Sequence, residues 1–215
     1  MTTLLTPATP ERSRAAARRP WLLHPAVKPA ALLLCLLPLA LLVWGAFNDT
    51  LGPNPAEALI RQTGDWTLRF LCITLAVTPL RLWLQQPALL RLRRMLGVSA
   101  FGYGLLHFLC YAWLDKSLDL AEILRDIAKR PFILVGTTAL LLMLPLALTS
   151  FNRAIKALGG KRWQALHRAV YAVALLGLLH FFWMRSAKHN FGEVAVYGAI
   201  IFVLLAERLR RKLMR

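Results

Sequence analysis

The twenty residues MLGVSAFGYGLLHFLCYAWL, positions 95–114, contain no Asp, Glu, Lys or Arg, yet His107 stands among them. A run of about 20 apolar residues is the length that a helix needs to cross a bilayer. An ionisable side chain at that depth is expensive and is a functional candidate by default. His167 and His180 also lie in or at the ends of apolar stretches. The stretches offer no second acid for a proton relay and no pore-like polar stripe. Neutral imidazoles holding haem iron are therefore the leading reading, which makes the chain a candidate membrane cytochrome. The alternative for His107 and His180 is an interhelical hydrogen-bonded pair, and His24 and His189 read as surface residues.

Outward from this stretch the pattern repeats. Apolar runs at or near spanning length cover Ala30 to Phe47, Trp66 to Leu84, Met95 to Leu114, Phe132 to Phe151, Ala169 to Met184 and Gly192 to Ala206. The longest connections, Asn48 to Asp65 and Asp115 to Pro131, leave no room for a soluble domain. The fold class expected is all-α, an integral membrane bundle of six transmembrane helices (29–206) between a basic arm (1–28) and a basic tail (207–215). The first run resembles a secretory signal behind Arg12, Arg14, Arg18 and Arg19, but its length and the lack of an A-x-A site make it an uncleaved span. No internal repeat is evident.

A hydrophobic share of 58% and a mean hydropathy of +0.53 agree with a membrane protein. The net charge of +17 does not point to nucleic acid, because the basic residues cluster at the ends of apolar runs, where anionic lipid headgroups are the natural partner. Nineteen of the 27 Lys and Arg fall in the N-terminal arm, the Arg81 to Arg94 connection, the Asn152 to Arg168 connection and the tail. The positive-inside rule then places both termini in the cytoplasm. Arg69, in the first turn of the second span, is positioned to snorkel to the outer interface. Trp66, Trp113, Trp163, Tyr111 and Trp183 read as an interfacial aromatic belt. Cys35, Cys72 and Cys110 fall one to a span with no CxxC or CxxCH, which excludes covalent haem and iron–sulfur motifs and leaves them as packing residues.

In this topology the third and fifth spans both run outward. His107 comes thirteen residues after Arg94, and His180 thirteen after His167, so both stand about 20 Å outward at 1.5 Å per residue. Gly102, Gly104 and Gly177 mark low bulk nearby. Axial ligation of one outer haem by His107 and His180 is the first expectation. His167 would serve an inner haem, but Arg94 occupies the matching place on the third span. Its second ligand is open, whether absent, from His24, or replaced by no haem at all. On one continuous ideal helix His167 and His180 would lie some 140° apart, unless a π-bulge or tilt near Gly177 rewinds it. The basic residues Arg81, Arg91, Arg93, Arg94, Lys161, Arg162 and Arg168 either enforce topology alone or also grip a phosphate or propionate from the inside, and Arg69 could do so outside.

Several strings carry a family likeness: Gly64-Asp65-Trp66 leading into Leu75-Ala76-Val77-Thr78-Pro79-Leu80-Arg81; Arg93-Arg94-Met95-Leu96-Gly97 leading into Leu106-His107-Phe108; Lys129-Arg130-Pro131-Phe132; and Gly160-Lys161-Arg162-Trp163-Gln164-Ala165-Leu166-His167-Arg168-Ala169-Val170-Tyr171. From about Gly52 to His180 the chain resembles the MsrQ (YedZ) family, haem-binding membrane subunits of bacterial protein-methionine-sulfoxide reductase within the ferric reductase-like transmembrane superfamily. The resemblance implies a multi-pass inner-membrane protein with b-type haem (one or two) and FMN. It implies electrons drawn from the quinone pool and passed to a periplasmic molybdopterin-containing subunit that reduces methionine sulfoxide in oxidised envelope proteins. It matches His107, His167 and His180 to the family's haem-linked histidines and Arg93 and Arg94 to a cytoplasmic basic pair. No FMN motif is visible. Two rival functions are weighed: a stand-alone ferric or cupric reductase, which would want a nucleotide-binding domain whose fingerprint this chain lacks, and a small non-haem transporter or scaffold.

Overall fold

The computed structural model describes residues 21–186 and 191–214. The arginines expected in the N-terminal arm, together with Lys188 and His189, lie outside them. Among the described residues the chain is all-helical, with α1 (Val27–Phe47), α2 (Pro55–Trp83), α3 (Leu90–Cys110), α4 (Leu120–Lys129), α5 (Pro131–Leu148), α6 (Asn152–Leu158), α7 (Gly160–His167), α8 (Val170–Ser186) and α9 (Gly192–Leu213). Among the described residues, four helical stretches are long and apolar enough to cross a membrane: Val27–Phe47, Pro87–Asp115, Pro131–Leu148 and Gly160–Ser186. The two long helices outside that group, α2 and α9, carry charge within their length: Glu57, Arg61, Asp65 and Arg69 in α2, and Glu193, Glu207 and Arg208 in α9.

Helix α2 is the axis of the core. It begins eleven residues before the apolar run that marks it in the sequence, because Asn54 caps it (Oδ1 accepts from Glu57 N at 3.1 Å) and Pro55 supplies a first-turn residue with no N–H to satisfy. Its buried face, Leu68, Phe70, Leu71, Cys72 and Leu75, meets Ala100 and Tyr103 of α3, Val173 and Ala174 of α8 and Ile201 of α9. The small residues Ala100 and Ala174 are fully buried and let helix backbones approach. The other face of the bundle is apolar and bare: Leu33, Leu34 and Trp44 of α1 and Phe202 of α9 are each more than 65% exposed. That is the surface that lipid would cover.

Pro38 opens a gap in α1 that another helix fills. The Tyr103 hydroxyl donates to Cys35 O and accepts from Leu39 N, both at 2.9 Å, so it stands where the 35–39 backbone bond would be. The three cysteines are free, two of them buried, as packing residues should be.

Helices α2 and α3 form an antiparallel pair, as do α5 and α8. We call the end carrying α4, the start of α2 and the end of α8 the outer end, and the opposite one the inner end. The two longest expected loops are structured. Asp119 caps the amphipathic α4, accepting from Ala121 N and Glu122 N at 2.9 and 3.0 Å. At the inner end α6 and α7 meet at Gly159, whose φ of +73° is left-handed and suited to glycine. The chain turns again at Arg168 and Ala169 before α8 begins. His167 and His180 therefore belong to different helices, and the 140° offset of a continuous helix does not apply. The one π-helical segment among the described residues, Tyr111–Asp115, follows α3 and is not beside Gly177.

Candidate functional site

The expected pairing across α3 and α8 is present. The His107 and His180 rings lie 6.0 Å apart, centre to centre, at an interplanar angle of 75°. A metal–imidazole bond of about 2 Å and roughly 1 Å from nitrogen to ring centre, taken on both sides, give about the same separation for two axial ligands of one ion.

Each ring is held by a neighbouring helix in the same way. His107 Nδ1 lies 2.7 Å from Ile60 O of α2, and His180 Nδ1 lies 2.6 Å from Phe132 O of α5. A carbonyl only accepts, so each Nδ1 carries the proton, and each Nε2 keeps its lone pair for a metal. One turn beyond each carbonyl stands a glycine. A Cβ on Gly64 would lie 3.0 Å from His107 Nδ1 and Cε1, and one on Gly136 would lie 2.8 Å from His180 Nδ1. The glycines leave the imidazole room to reach a carbonyl already used by the helix's own ladder. Sequence reasoning missed both, although the spacing Ile60-x3-Gly64 recurs as Phe132-x3-Gly136 and Gly64 opens one of the family strings.

Both rings line a cavity of ≈ 290 Å³ with largely apolar walls, among them Leu68, Leu71, Leu140 and Phe181. Gly104 and Gly177 contribute to its wall as expected, whereas Gly102 faces open space. The polar mouth at the outer end carries Arg61, Asp65, Asp115, Arg130 and Arg185. Arg61 pairs with Glu57 at 2.5 Å, Arg130 with Asp126 at 2.8 Å, and Arg185 with Glu193 at 2.5 Å. Arg69 is elsewhere: its Nε donates to Tyr197 Oη at 3.1 Å and its guanidinium lies 4.7 Å from the centre of the Trp66 ring. The mouth cations were missed because the stretches that carry them, the early part of α2, the junction of α4 and α5 and the last turn of α8, read as loop.

His167 faces a second cavity, ≈ 270 Å³, with Arg93, Arg94, Gly97, Phe101, Ser150 and Trp163 in its lining. Only Leu71, Met143 and Val173 line both cavities. His167 Nδ1 lies 3.1 Å from Trp163 O in its own helix, its ring stacks on Trp163 at 3.8 Å, and its Nε2 is buried with no hydrogen-bond partner. No second histidine reaches this cavity among the described residues. His24 is exposed, its Nδ1 accepting from Ala26 N at 3.2 Å. Arg94 donates to Asn152 Oδ1 at 2.8 Å. Arg162 and Arg168 are exposed and line neither cavity, and Arg81 lines neither.

No group of three His, Cys, Asp or Glu side chains is placed to hold a metal ion among the described residues. Two imidazoles leave most of a coordination sphere open, and a planar tetradentate ligand such as a porphyrin would fill it.

Residues 63–178 match the family described as "Ferric reductase like transmembrane component", a stretch that contains His107 and His167 and stops two residues short of His180. Over 90% of its length the chain is 62% identical to "Protein-methionine-sulfoxide reductase heme-binding subunit MsrQ" of Polaromonas naphthalenivorans, covering 89% of that protein. The chain belongs to the MsrQ family. Proteins of the same name from Herminiimonas arsenicoxydans and Rhodospirillum rubrum are 51% and 48% identical, over 85% and 84% of this chain and 84% and 86% of theirs. No solved structure matches. The family resemblance read from the sequence is thus borne out, and the chain is a membrane protein related to a reductase subunit.

Proposed function

We propose that this chain is a haem-binding electron-transfer subunit of the bacterial inner membrane. In this reading it passes electrons from the quinone pool to a periplasmic, molybdopterin-containing subunit that reduces methionine sulfoxide in oxidised proteins. The observation that carries the reading is the pair His107 and His180, each with Nδ1–H on a backbone carbonyl and Nε2 free. The names of the relatives, which specify haem binding, support it.

Haem b fits the residues of the outer cavity: two fixed imidazoles and apolar walls. When bound, it would supply a reversible one-electron couple. The Ile60 and Phe132 carbonyls fix the tautomer of His107 and His180, Leu68, Leu71, Leu140 and Phe181 would exclude water from a bound haem, and Arg61, Arg130 and Arg185 make the mouth polar. We assign His167 to a second haem in the inner cavity. Its orphaned Nε2 supports that assignment, and Arg93 and Arg94 at the cavity wall are placed to face propionates. FMN, implied by the resemblance, is assigned no residues.

We read α1, α2, α3, α5, α8 and α9 as six spans with both termini cytoplasmic, which makes the outer end periplasmic. α2 is sheltered by the other helices, and the charges of α9 fall near its two ends, so neither helix need turn its charges to lipid. The outer surface around α4 and the mouth of the outer cavity would then meet the partner.

The test is the reduced-minus-oxidised spectrum of the purified protein. His107→Ala and His180→Ala are each expected to remove the outer b-type absorbance. Retention of full absorbance in either variant would overturn the ligand assignment, and a wild type without Soret absorbance under haem-replete expression would favour the non-haem scaffold.

A further inference from the structure

Helix α4, at the outer end, has an apolar arc wider than the surface that covers it. At about 100° per residue, Ile123, Ile127, Leu120 and Leu124 fall side by side within an arc of about 100° that holds no charged residue. The bundle covers one edge of this arc: Ile123 is buried, with Asp126 buried beyond it, and Ile127 is half-buried. The other edge is bare, with Leu120 67% and Leu124 59% exposed. The charged residues Glu122, Arg125 and Lys129 are exposed on the side of α4 away from those leucines. Three directions around one short helix thus carry three chemistries: the bundle, an unclaimed apolar edge, and a charged edge.

The turn before α4 adds to the bare edge. Ser117 and Leu118 are consecutive non-glycine residues in the left-handed region, with φ of +47° and +61°. A side chain makes that conformation costly. It folds the chain back on the end of the π-helical segment, where Ser117 N donates to Trp113 O at 3.0 Å and Leu118 N to Ala112 O at 2.7 Å. It also leaves the Leu118 side chain 61% exposed. A strained backbone that presents a leucine to water would be unfavourable on two counts, and an apolar surrounding removes one of them.

The surface next to this edge says what the surrounding is. Val98, Leu105, Leu109 and Trp113, spaced seven, four and four residues apart, form one exposed stripe along α3 and the π-helical segment. That stretch is long and apolar enough to cross a membrane, so the stripe faces lipid. Trp113, at its outer end, is the residue type that settles at the headgroup level. Leu118 turns back to this tryptophan, and Leu120 follows two residues later. The bare edge of α4 therefore continues a lipid-facing surface, whereas a soluble partner would have to enter the bilayer to reach it.

We propose that α4 is an interfacial helix, with Leu118, Leu120 and Leu124 seated in the lipid layer at the outer end of the bundle and Glu122, Arg125 and Lys129 in water. The proposal rests on the membrane crossing of α3 and does not need the haem reading. It divides the outer surface: the charged edge of α4 is the part left open to another protein. It also ties the outer cavity to the bilayer, since Asp126 accepts from the Tyr111 hydroxyl at 2.7 Å, and Tyr111 and Arg130 both line that cavity.

The probe is a bilayer of phosphatidylethanolamine and phosphatidylglycerol in nanodiscs holding the full chain. A lipid-soluble aryl diazirine photolysed there is expected to label Leu118, Leu120 and Leu124 of the unsubstituted protein and to spare Arg125 and Lys129. Labelling of α3 without any of the three leucines would overturn the proposal. Nitroxides on Leu120→Cys and Leu124→Cys, in a Cys110→Ala background whose remaining cysteines are buried, should collide more with oxygen than with a water-soluble nickel chelate, and the order should reverse at Arg125→Cys. Preference for the chelate at all three positions overturns the proposal and leaves the edge to a soluble partner. Low collision with both reagents, accompanied by spin–spin broadening, overturns it in favour of a second copy of this chain. Leu120 packs on nothing that holds the bundle together, so Leu120→Ser is expected to fold and to raise amide exchange across Leu120–Lys129 at least about tenfold, the transfer of one leucine out of lipid. Arg125→Ser should leave that exchange unchanged, and equal exchange in Leu120→Ser and wild type would overturn the seating in lipid. None of these measurements reads haem, so failure of the haem reading shows separately, as missing absorbance in a protein whose α4 is still labelled from the bilayer.

Discussion

The outer and inner halves of this bundle solve one problem to different degrees. Outside, His107 and His180 each hang from a carbonyl of another helix over a glycine, and the two rings complete one another at 6.0 Å. Inside, His167 hangs from its own helix, stacks on Trp163, and faces no second imidazole. Both halves fix a proton on Nδ1, which prepares Nε2 as a ligand. Only the outer half supplies two of them. Preparing a ligand is a local matter of one hydrogen bond, whereas completing a site requires two helix pairs at matched depth.

The largest effect should come from breaking the outer half. His107→Ala or His180→Ala is expected to lower outer haem content at least about tenfold, since axial ligation is lost and a buried carbonyl loses its extra donor. His167→Ala, by contrast, should leave that absorbance in place and remove one of two transitions in an optical redox titration. An unchanged titration would remove the inner haem from the reading, and loss of both transitions would show that the two halves are coupled through Leu71, Met143 and Val173.

The depth match of His107 and His180 was legible because helix rise is constant and the basic clusters mark the inner border. The all-helical class and the family were legible from apolar runs and from a few ordered strings. What stayed hidden depends on neighbours. The turn at Arg168 and Ala169 carries no Gly or Pro and looks like continuous helix in one dimension. The early start of α2 was masked by its charges, which read as loop although Asn54 and Pro55 are good start signals and Glu57 pairs with Arg61 in helical spacing. The glycine seats were invisible for another reason: a glycine's purpose lies in the side chain of the helix that leans on it.

A smaller effect sharpens the comparison by changing how a ligand is held while keeping the ligand. Gly136→Ala places a methyl 2.8 Å from His180 Nδ1, and Gly64→Ala one 3.0 Å from His107 Nδ1. Overpacking of this kind costs about 1–3 kcal/mol, and ring displacement lengthens the Nδ1–H···O bond. That bond enriches the imidazole in electrons and favours the oxidised iron, so weakening it raises the midpoint potential. A loss of about 1 kcal/mol in the oxidised state alone corresponds to roughly 40 mV for a one-electron couple. Gly136→Ala, the tighter contact, should shift the outer transition further than Gly64→Ala, and neither should move the inner one. Equal, unshifted potentials with full haem content would show that the glycines only make room.

The smallest effect concerns the outer loop, whose charges form a network of ion pairs around Asp126 and Lys116. Asp126 is buried, accepts from the Tyr111 hydroxyl at 2.7 Å, and pairs with Arg130 at 2.8 Å and Lys116 at 3.5 Å. Lys116 in turn reaches Glu122 at 2.8 Å and Asp115 at 3.7 Å. Burial alone would push the Asp126 carboxyl up, but Tyr111, Arg130 and Lys116 together hold it below its ordinary 3.8. An acid with a depressed folded-state value contributes stability above its unfolded value and loses it as pH falls through the folded one. The anchoring of α4 should therefore be constant from neutral pH down to about pH 4 and weaken below that, read as faster amide exchange in Leu120–Lys129. Asp126→Asn should show the faster exchange already at neutral pH and flatten the acid limb, because it retains a polar group and removes the charge that Arg130 and Lys116 share. If the variant keeps the wild-type acid limb, α4 is anchored by its apolar face, with Ile123 buried beneath it, and the paired charges of the outer loop serve the mouth of the cavity instead.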